Sequence, residues 1–245
     1  MDEETKADLV ERFEEVVSAN RFTIAVVFPL TGAVLLLASH EGLLPPFLSF
    51  NPYLILFGTL VMRLPLVAGV APLLKRRATV SLAALTAYAY AIEYVGTTTG
   101  FPYGEFEYSV SLGPMLGGVP LGLPIFFLPL VLNSYLLCLL LLGDAAERRV
   151  PRLLGTLSVL ITVDLVLDPG AVGVGFWRYI GGGFYYGVPL SNYFGWVISG
   201  TVSVVLLDVA FDTDGILRRL RGCDFMLDDL VSFVILWGGI NLYFG

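Results

Sequence analysis

Seven apolar runs, at roughly 22–39, 52–73, 79–97, 119–142, 152–168, 190–211 and 226–244, are bounded by turn or charge signals. Each comes near the ~20 residues a helix needs to cross a bilayer. In hydrocarbon a spanning segment must satisfy its own backbone polar groups, so runs of this length become helices. The chain is therefore expected to be an all-α integral membrane protein with seven transmembrane helices. Composition agrees: 56% of residues are hydrophobic, 14% are charged and the mean hydropathy is +0.81.

Cations give the orientation, because loops left in the cytoplasm carry the excess of Lys and Arg. Lys6, Arg12 and Arg21 precede the first run. Lys75, Arg76 and Arg77 follow the second, Arg148, Arg149 and Arg152 the fourth, and Arg218, Arg219 and Arg221 the sixth. These are twelve of the fourteen cations, leaving Arg178 in the fifth loop and Arg63 inside the second run. The expectation is a multi-pass protein of the cell membrane, N-terminus cytoplasmic and C-terminus outside. Residues 1–21 read as an acidic cytosolic segment in which Leu9, Val10, Phe13, Val16 and Val17 recur at helical spacing, giving an amphipathic helix. Residues 22–245 form the membrane domain.

Several chemistries fall away on residue type. A retinal Schiff base needs a lysine within a span, but the two lysines, Lys6 and Lys75, lie in cytosolic segments. A di-iron site needs several histidines, and His40 stands alone. Asp224, Asp228 and Asp229 resemble the aspartate cluster of a prenyltransferase, yet they start in a basic cytosolic loop and read as a solvated acidic face. Cys138 and Cys223 lack metal spacing. The net charge of −7 argues against a nucleic acid partner.

What remains is Glu93, an acid inside the third run, and an ionisable group at membrane depth is by default a functional-site hypothesis. It precedes a polar, aromatic, glycine-rich loop. That loop ends in Gly118-Val119-Pro120-Leu121, and the fifth loop ends the same way, in Gly187-Val188-Pro189-Leu190. The fifth loop comes after a run bearing Asp164 and Asp168. This recurrence predicts a parallel internal repeat of helices 3–4 and 5–6 with their outer loops. At ~1.5 Å per helical residue, Glu93 and Asp168 each lie about 24 Å from the cytosolic boundary, and Asp164 and Arg63 both about 18 Å. An Asp164–Arg63 structural ion pair is expected, because buried charges persist when paired. Asp208 is expected to snorkel or cap near the cytosolic face.

The ordered set Glu93, Gly96, Gly100, Pro102-Tyr103-Gly104, Tyr108 and Gly118-Val119-Pro120 resembles the carotenoid 1,2-hydratases of the bisanhydrobacterioruberin hydratase type. So does the set Asp168-Pro169, Trp177, Tyr185-Tyr186-Gly187-Val188-Pro189, Asn192 and Trp196. The resemblance runs from about 50 to 243. It implies addition of water to the terminal 1,2 double bond of an acyclic carotenoid, bisanhydrobacterioruberin-like or lycopene- or γ-carotene-like, giving a tertiary alcohol. The expected partners are this lipid-soluble polyene, water and membrane lipid, with no cofactor and no metal, since hydration is redox-neutral. The acidic balance suits a salt-loving archaeon.

The roles come from the chemistry. A proton must reach the less substituted alkene carbon, which calls for a carboxylic acid kept protonated by apolar burial. Glu93 is assigned as general acid. Asp168 takes the proton of the attacking water, which Asp164 or Asn192 helps position. Tyr103, Tyr108, Trp177, Tyr185, Tyr186 and Trp196 supply substrate contacts and ring faces for the developing cation. Two other readings use the same carboxyls: a carotenoid- or lipid-binding, proton-coupled carrier, and a terpenoid cyclase that starts from the same alkene protonation.

Overall fold

A computed structural model describes residues 3–245, and among them the backbone forms nine α-helices and four short strands. α1 spans Glu3–Ala19. A π-helical turn, Thr23–Val27, leads into α2, Phe28–His40. α3 is Pro52–Val70, extended by a 3-10 turn, and α4 is Arg76–Thr99. α5 is Leu123–Leu142, α6 Arg149–Val174, α7 Leu190–Ala210, α8 Thr213–Gly222 and α9 Asp228–Phe244. The α4–α5 loop holds β1 (Phe106–Tyr108), β2 (Met115–Leu116) and β3 (Val119–Pro120), and the α6–α7 loop holds β4 (Trp177–Tyr179).

Among the described residues, six helical segments are long and apolar enough to cross a membrane: Thr23–His40, Pro52–Leu73, Arg76–Thr99, Leu123–Glu147, Arg149–Val174 and Leu190–Ala210. Large apolar side chains such as Val34, Phe57, Val67 and Val205 are exposed along them, an arrangement suited to lipid and unsuited to water. The chain is an all-helical membrane protein. The run expected at 226–244 forms α9, whose 17 residues stop short of that length. It packs on α2 and α6 and buries Ser232, Phe233, Leu236, Trp237 and Ile240.

Local chemistry sets the helix limits. Asn51 caps α3 by accepting from the Tyr53 and Leu54 amides at 3.0 and 3.3 Å, with Pro52 at the first helical position. α4 and α6 each stop at a glycine in the left-handed region, Gly100 (φ +75°) and Gly175 (φ +89°). The two Gly-Val-Pro-Leu copies share a positive-φ glycine, at +86° and +83°, and a buried valine, Val119 and Val188. They differ in how they enter the next helix. Pro189 is the cap of α7, whereas Val119-Pro120 pairs as β3 with β2 and α5 begins at Leu123 rather than at 119.

α1 does not lie free. Phe13 and Val17, one turn apart, pack into the core while Leu9 and Val16 face outward, and Glu14 pairs with Arg219 at 2.8 Å. Asp208 is not a snorkelling residue: Arg152 grips its two oxygens at 2.8 and 2.7 Å, and the Tyr135 hydroxyl adds a third bond at 2.8 Å. Nor do Asp228 and Asp229 form a solvated face. Asp228 receives Arg21 at 2.7 and 2.9 Å, and Asp229 is fully buried. A basic loop next to an acidic triplet looked solvated in sequence, but α9 begins at Asp228 and carries the next aspartate into the bundle.

Candidate active site

β1 and β4 pair antiparallel, with Phe106 opposite Tyr179, Glu107 opposite Arg178 and Tyr108 opposite Trp177. Side chains alternate across a strand, so Phe106, Tyr108, Trp177 and Tyr179 share one face and Glu107 and Arg178 the other. The first four line a cavity of about 180 Å³ within the bundle, and the last two form an exposed ion pair. The α4–α5 and α6–α7 loops therefore meet at one end of the bundle as a two-stranded lid.

Beneath the lid each inward tyrosine donates to a carboxyl. Tyr108 donates to Glu93 Oε1, and Tyr179 donates to Asp168 Oδ2 at 2.8 Å. Asn192 donates its amide to that same Asp168 oxygen at 2.6 Å and to Asp164 Oδ2 at 2.8 Å. Asp164 and Asp168 lie four residues apart, hence on one face of α6, opposite Asn192 on α7. Glu93, Asp168 and Asn192 line the cavity. Asp164, fully buried, stands behind them, and its Oδ1 has no hydrogen-bond partner among the described residues.

Aromatic side chains complete the walls. Trp196 stacks on Phe127 at 5.5 Å and lies 5.9 Å from Tyr103. Gly195 makes this possible, since a Cβ there would collide with the Tyr103 ring. The Tyr103 hydroxyl meets Ser199 Oγ at 2.6 Å, and Tyr88 meets it at 3.0 Å. Burial first, and then nearby carboxylate charge, holds the Tyr108 and Tyr179 hydroxyls above the ordinary tyrosine range. Burial raises Tyr103 likewise, against a lowering hydrogen bond from Ser199. Tyr108 and Tyr179 remain the donors to their carboxyls.

Of the residues singled out in sequence, Glu93, Asp168, Asn192, Tyr103, Tyr108, Trp177 and Trp196 line this one cavity, and Asp164 adjoins it through Asn192. Tyr185 and Tyr186 do not line it. They belong to the turn that closes Tyr185 on Val188, and Tyr186 is exposed with its hydroxyl 3.4 Å from the Gly245 carbonyl. Arg63 is paired, but with Asp229 rather than Asp164. It lines the inner part of the cavity with Asn133, which donates to Asp229 at 2.5 Å. Equal estimated height made Asp164 a candidate partner, but Asp164 faces Asn192.

Tyr179, Phe106 and Ser199 belong to the site although the sequence did not single them out for it. Phe106-x-Tyr108 and Trp177-x-Tyr179 share an alternation that signals two aromatic strand faces. Among the described residues no group of three or more His, Cys, Asp and Glu side chains is arranged to hold a metal ion.

The chain is 65% identical to a bisanhydrobacterioruberin hydratase from Haloarcula japonica over 242 residues, which cover 98% of this chain and 82% of that protein. No solved structure matches it. The family model described as carotenoid biosynthesis protein matches residues 50–245, a stretch that holds every residue of the cavity except Leu36. With that match added to the lidded two-carboxyl cavity, the chain belongs to the carotenoid biosynthesis protein family.

Proposed function

We propose that the chain is a carotenoid hydratase, adding water to the terminal 1,2 double bond of an acyclic, bisanhydrobacterioruberin-like carotenoid to give a tertiary alcohol. The observation that carries this reading is the pair of carboxyls, Glu93 and Asp168, on one apolar cavity with unequal donor sets. Asp168 Oδ2 takes two hydrogen bonds, the environment of an oxygen that bears negative charge. Glu93 takes one, from Tyr108. The activity named for the Haloarcula japonica relative supports the same reaction.

Glu93 gives its proton to the less substituted alkene carbon, and the positive charge forms on the tertiary carbon. The faces of Trp177, Tyr103 and Trp196 lie on the same cavity and stabilise that charge. Water held by Asp168, with Asp164 and Asn192 behind it, attacks the cation and loses a proton to Asp168. Tyr108 and Tyr179 orient the two carboxyls. The cycle closes when the proton returns from Asp168 to Glu93. The walls are mostly hydrocarbon and aromatic, which suits a polyene.

In the proposed setting α9 is a seventh span. The N-terminus and α1 (with residues 1–21 as a cytosolic segment ahead of a 22–245 membrane domain) face the cytoplasm of the cell membrane, the lid lies outside, and lipid covers the apolar flanks. The shared β1–β4 ribbon and the matching Gly-Val geometry support a parallel repeat of the two outer loops with their helices. The test is to express the chain in cells that make an acyclic carotenoid and weigh the pigments. Each hydration adds one water, whereas unchanged masses would indicate a carrier or a cyclase.

A further inference from the structure

We infer that the inner end of the cavity, formed by Asn133 and Arg63, is a binding subsite for a single hydroxyl group. Asn133 is almost fully buried and lines the cavity. Its amide nitrogen donates to Asp229 Oδ2 at 2.5 Å, while its Oδ1 has no partner among the described residues. The amide cannot be turned round. Asp229 is ion-paired with Arg63 and, as a carboxylate, only accepts. Oδ1 is therefore held as a buried acceptor, and an unmatched one is destabilising, so a ligand that donates to it is favoured.

Arg63 fits the other half of the ligand. It commits Nη1 to Asp229 and Nε to the Ile125 carbonyl at 3.3 Å, which leaves Nη2 as the donor for a ligand. Its charge is already matched by Asp229, so the subsite calls for a neutral group. An anion would confront Asn133 Oδ1, a ketone would leave that oxygen unmatched, and a cation would confront the guanidinium. A hydroxyl satisfies both, donating to Asn133 and accepting from Arg63.

Position then bears on the substrate, and here the inference rests on the hydratase reading. Arg63 lies eleven residues into α3 and Asn133 ten into α5, about 15 to 16 Å from the lid ends of those helices. Glu93 and Asp168 each lie six residues from the lid ends of α4 and α6, about 9 Å. The hydroxyl subsite is thus about 6 to 7 Å deeper than the carboxyls. Its occupant is either an alcohol carried on the polyene at that spacing from the reacting alkene, or a water molecule.

All three tryptophans, Trp177, Trp196 and Trp237, line the cavity, so polyene binding quenches their fluorescence independently of turnover. Two acyclic polyenes with the same reacting end are compared in the purified protein, one a hydrocarbon and one bearing an alcohol about 6 to 7 Å from the alkene. If the substrate supplies the hydroxyl, wild type binds the alcohol about tenfold more tightly, and Asn133→Leu abolishes the preference while still binding the hydrocarbon. If water occupies the subsite, wild type binds both equally and Asn133→Leu slows hydration of both about tenfold. Arg63→Lys, which keeps the charge opposite Asp229 but loses the fork of donors, behaves like Asn133→Leu and serves where the latter does not fold. Unchanged binding and turnover in both variants would overturn the subsite. Hydration of neither polyene by wild type, with quenching intact, would instead count against the hydratase reading.

Discussion

The Tyr179 hydroxyl donates to Asp168 Oδ2 across 2.8 Å, from the strand paired with the one whose Tyr108 serves Glu93. A hydrogen bond to a charged group contributes about 1.5–3 kcal/mol, and about 1.4 kcal/mol is tenfold in rate. Tyr179→Phe should therefore lower kcat about ten- to hundredfold, and Tyr108→Phe, whose bond meets the protonated Glu93, about two- to tenfold. Neither should alter the melting temperature of the detergent-solubilised protein by more than a few degrees. Wild-type kcat in both would remove the orienting role.

The pH profile depends on the same tyrosines. Burial first, then carboxylate charge, raises both hydroxyls above the ordinary tyrosine value of about 10. The neutral form, which donates, therefore persists as pH rises through that value. Any alkaline fall in kcat below about pH 10 should appear unchanged in Tyr108→Phe, and loss of that fall in the variant would contradict the assignment.

The lid has a working face and an idle one. Glu107 and Arg178 form an exposed pair on its outside, and exposed pairs contribute about 0–1 kcal/mol. Replacing both with Ala should leave turnover within about twofold of wild type. By contrast Gly195→Ala puts a methyl against the Tyr103 ring and should lower activity about tenfold or more with the same substrate.

Asp229→Ala leaves the Arg63 guanidinium, whose side chain is only 13% exposed, without its counter-charge. Breaking such a pair costs about 3–5 kcal/mol, whereas an apolar replacement of both members is often tolerated. Thermal unfolding should show Asp229→Ala strongly destabilised and Arg63→Met with Asp229→Leu markedly less so.

The two carboxyls were legible in sequence because an acid in an apolar run stands out against its surroundings, and their common height came from helical rise. Rotation about the helix axis cannot be read from rise. Arg63 therefore matched Asp164 in depth while facing Asp229, and only the packed bundle distinguishes the two. Tyr179 was hidden for a different reason. Strands of three residues, such as β1 and β4, are too short for periodicity to outweigh the interfacial reading that aromatic loops ordinarily receive. Tyr185 and Tyr186 looked equivalent to Tyr108 in composition, and the turn at Gly187 aims them elsewhere.

The most direct measurement is turnover in ¹⁸O-labelled water with purified wild type, Glu93→Gln and Asp168→Asn. Wild type should convert an acyclic carotenoid to an alcohol heavier by one molecule of labelled water. Each variant, folded and still binding polyene, should form product about a hundredfold more slowly or worse, in line with the share general acid–base groups contribute. Labelled alcohol formed by either variant at the wild-type rate would contradict a two-carboxyl site.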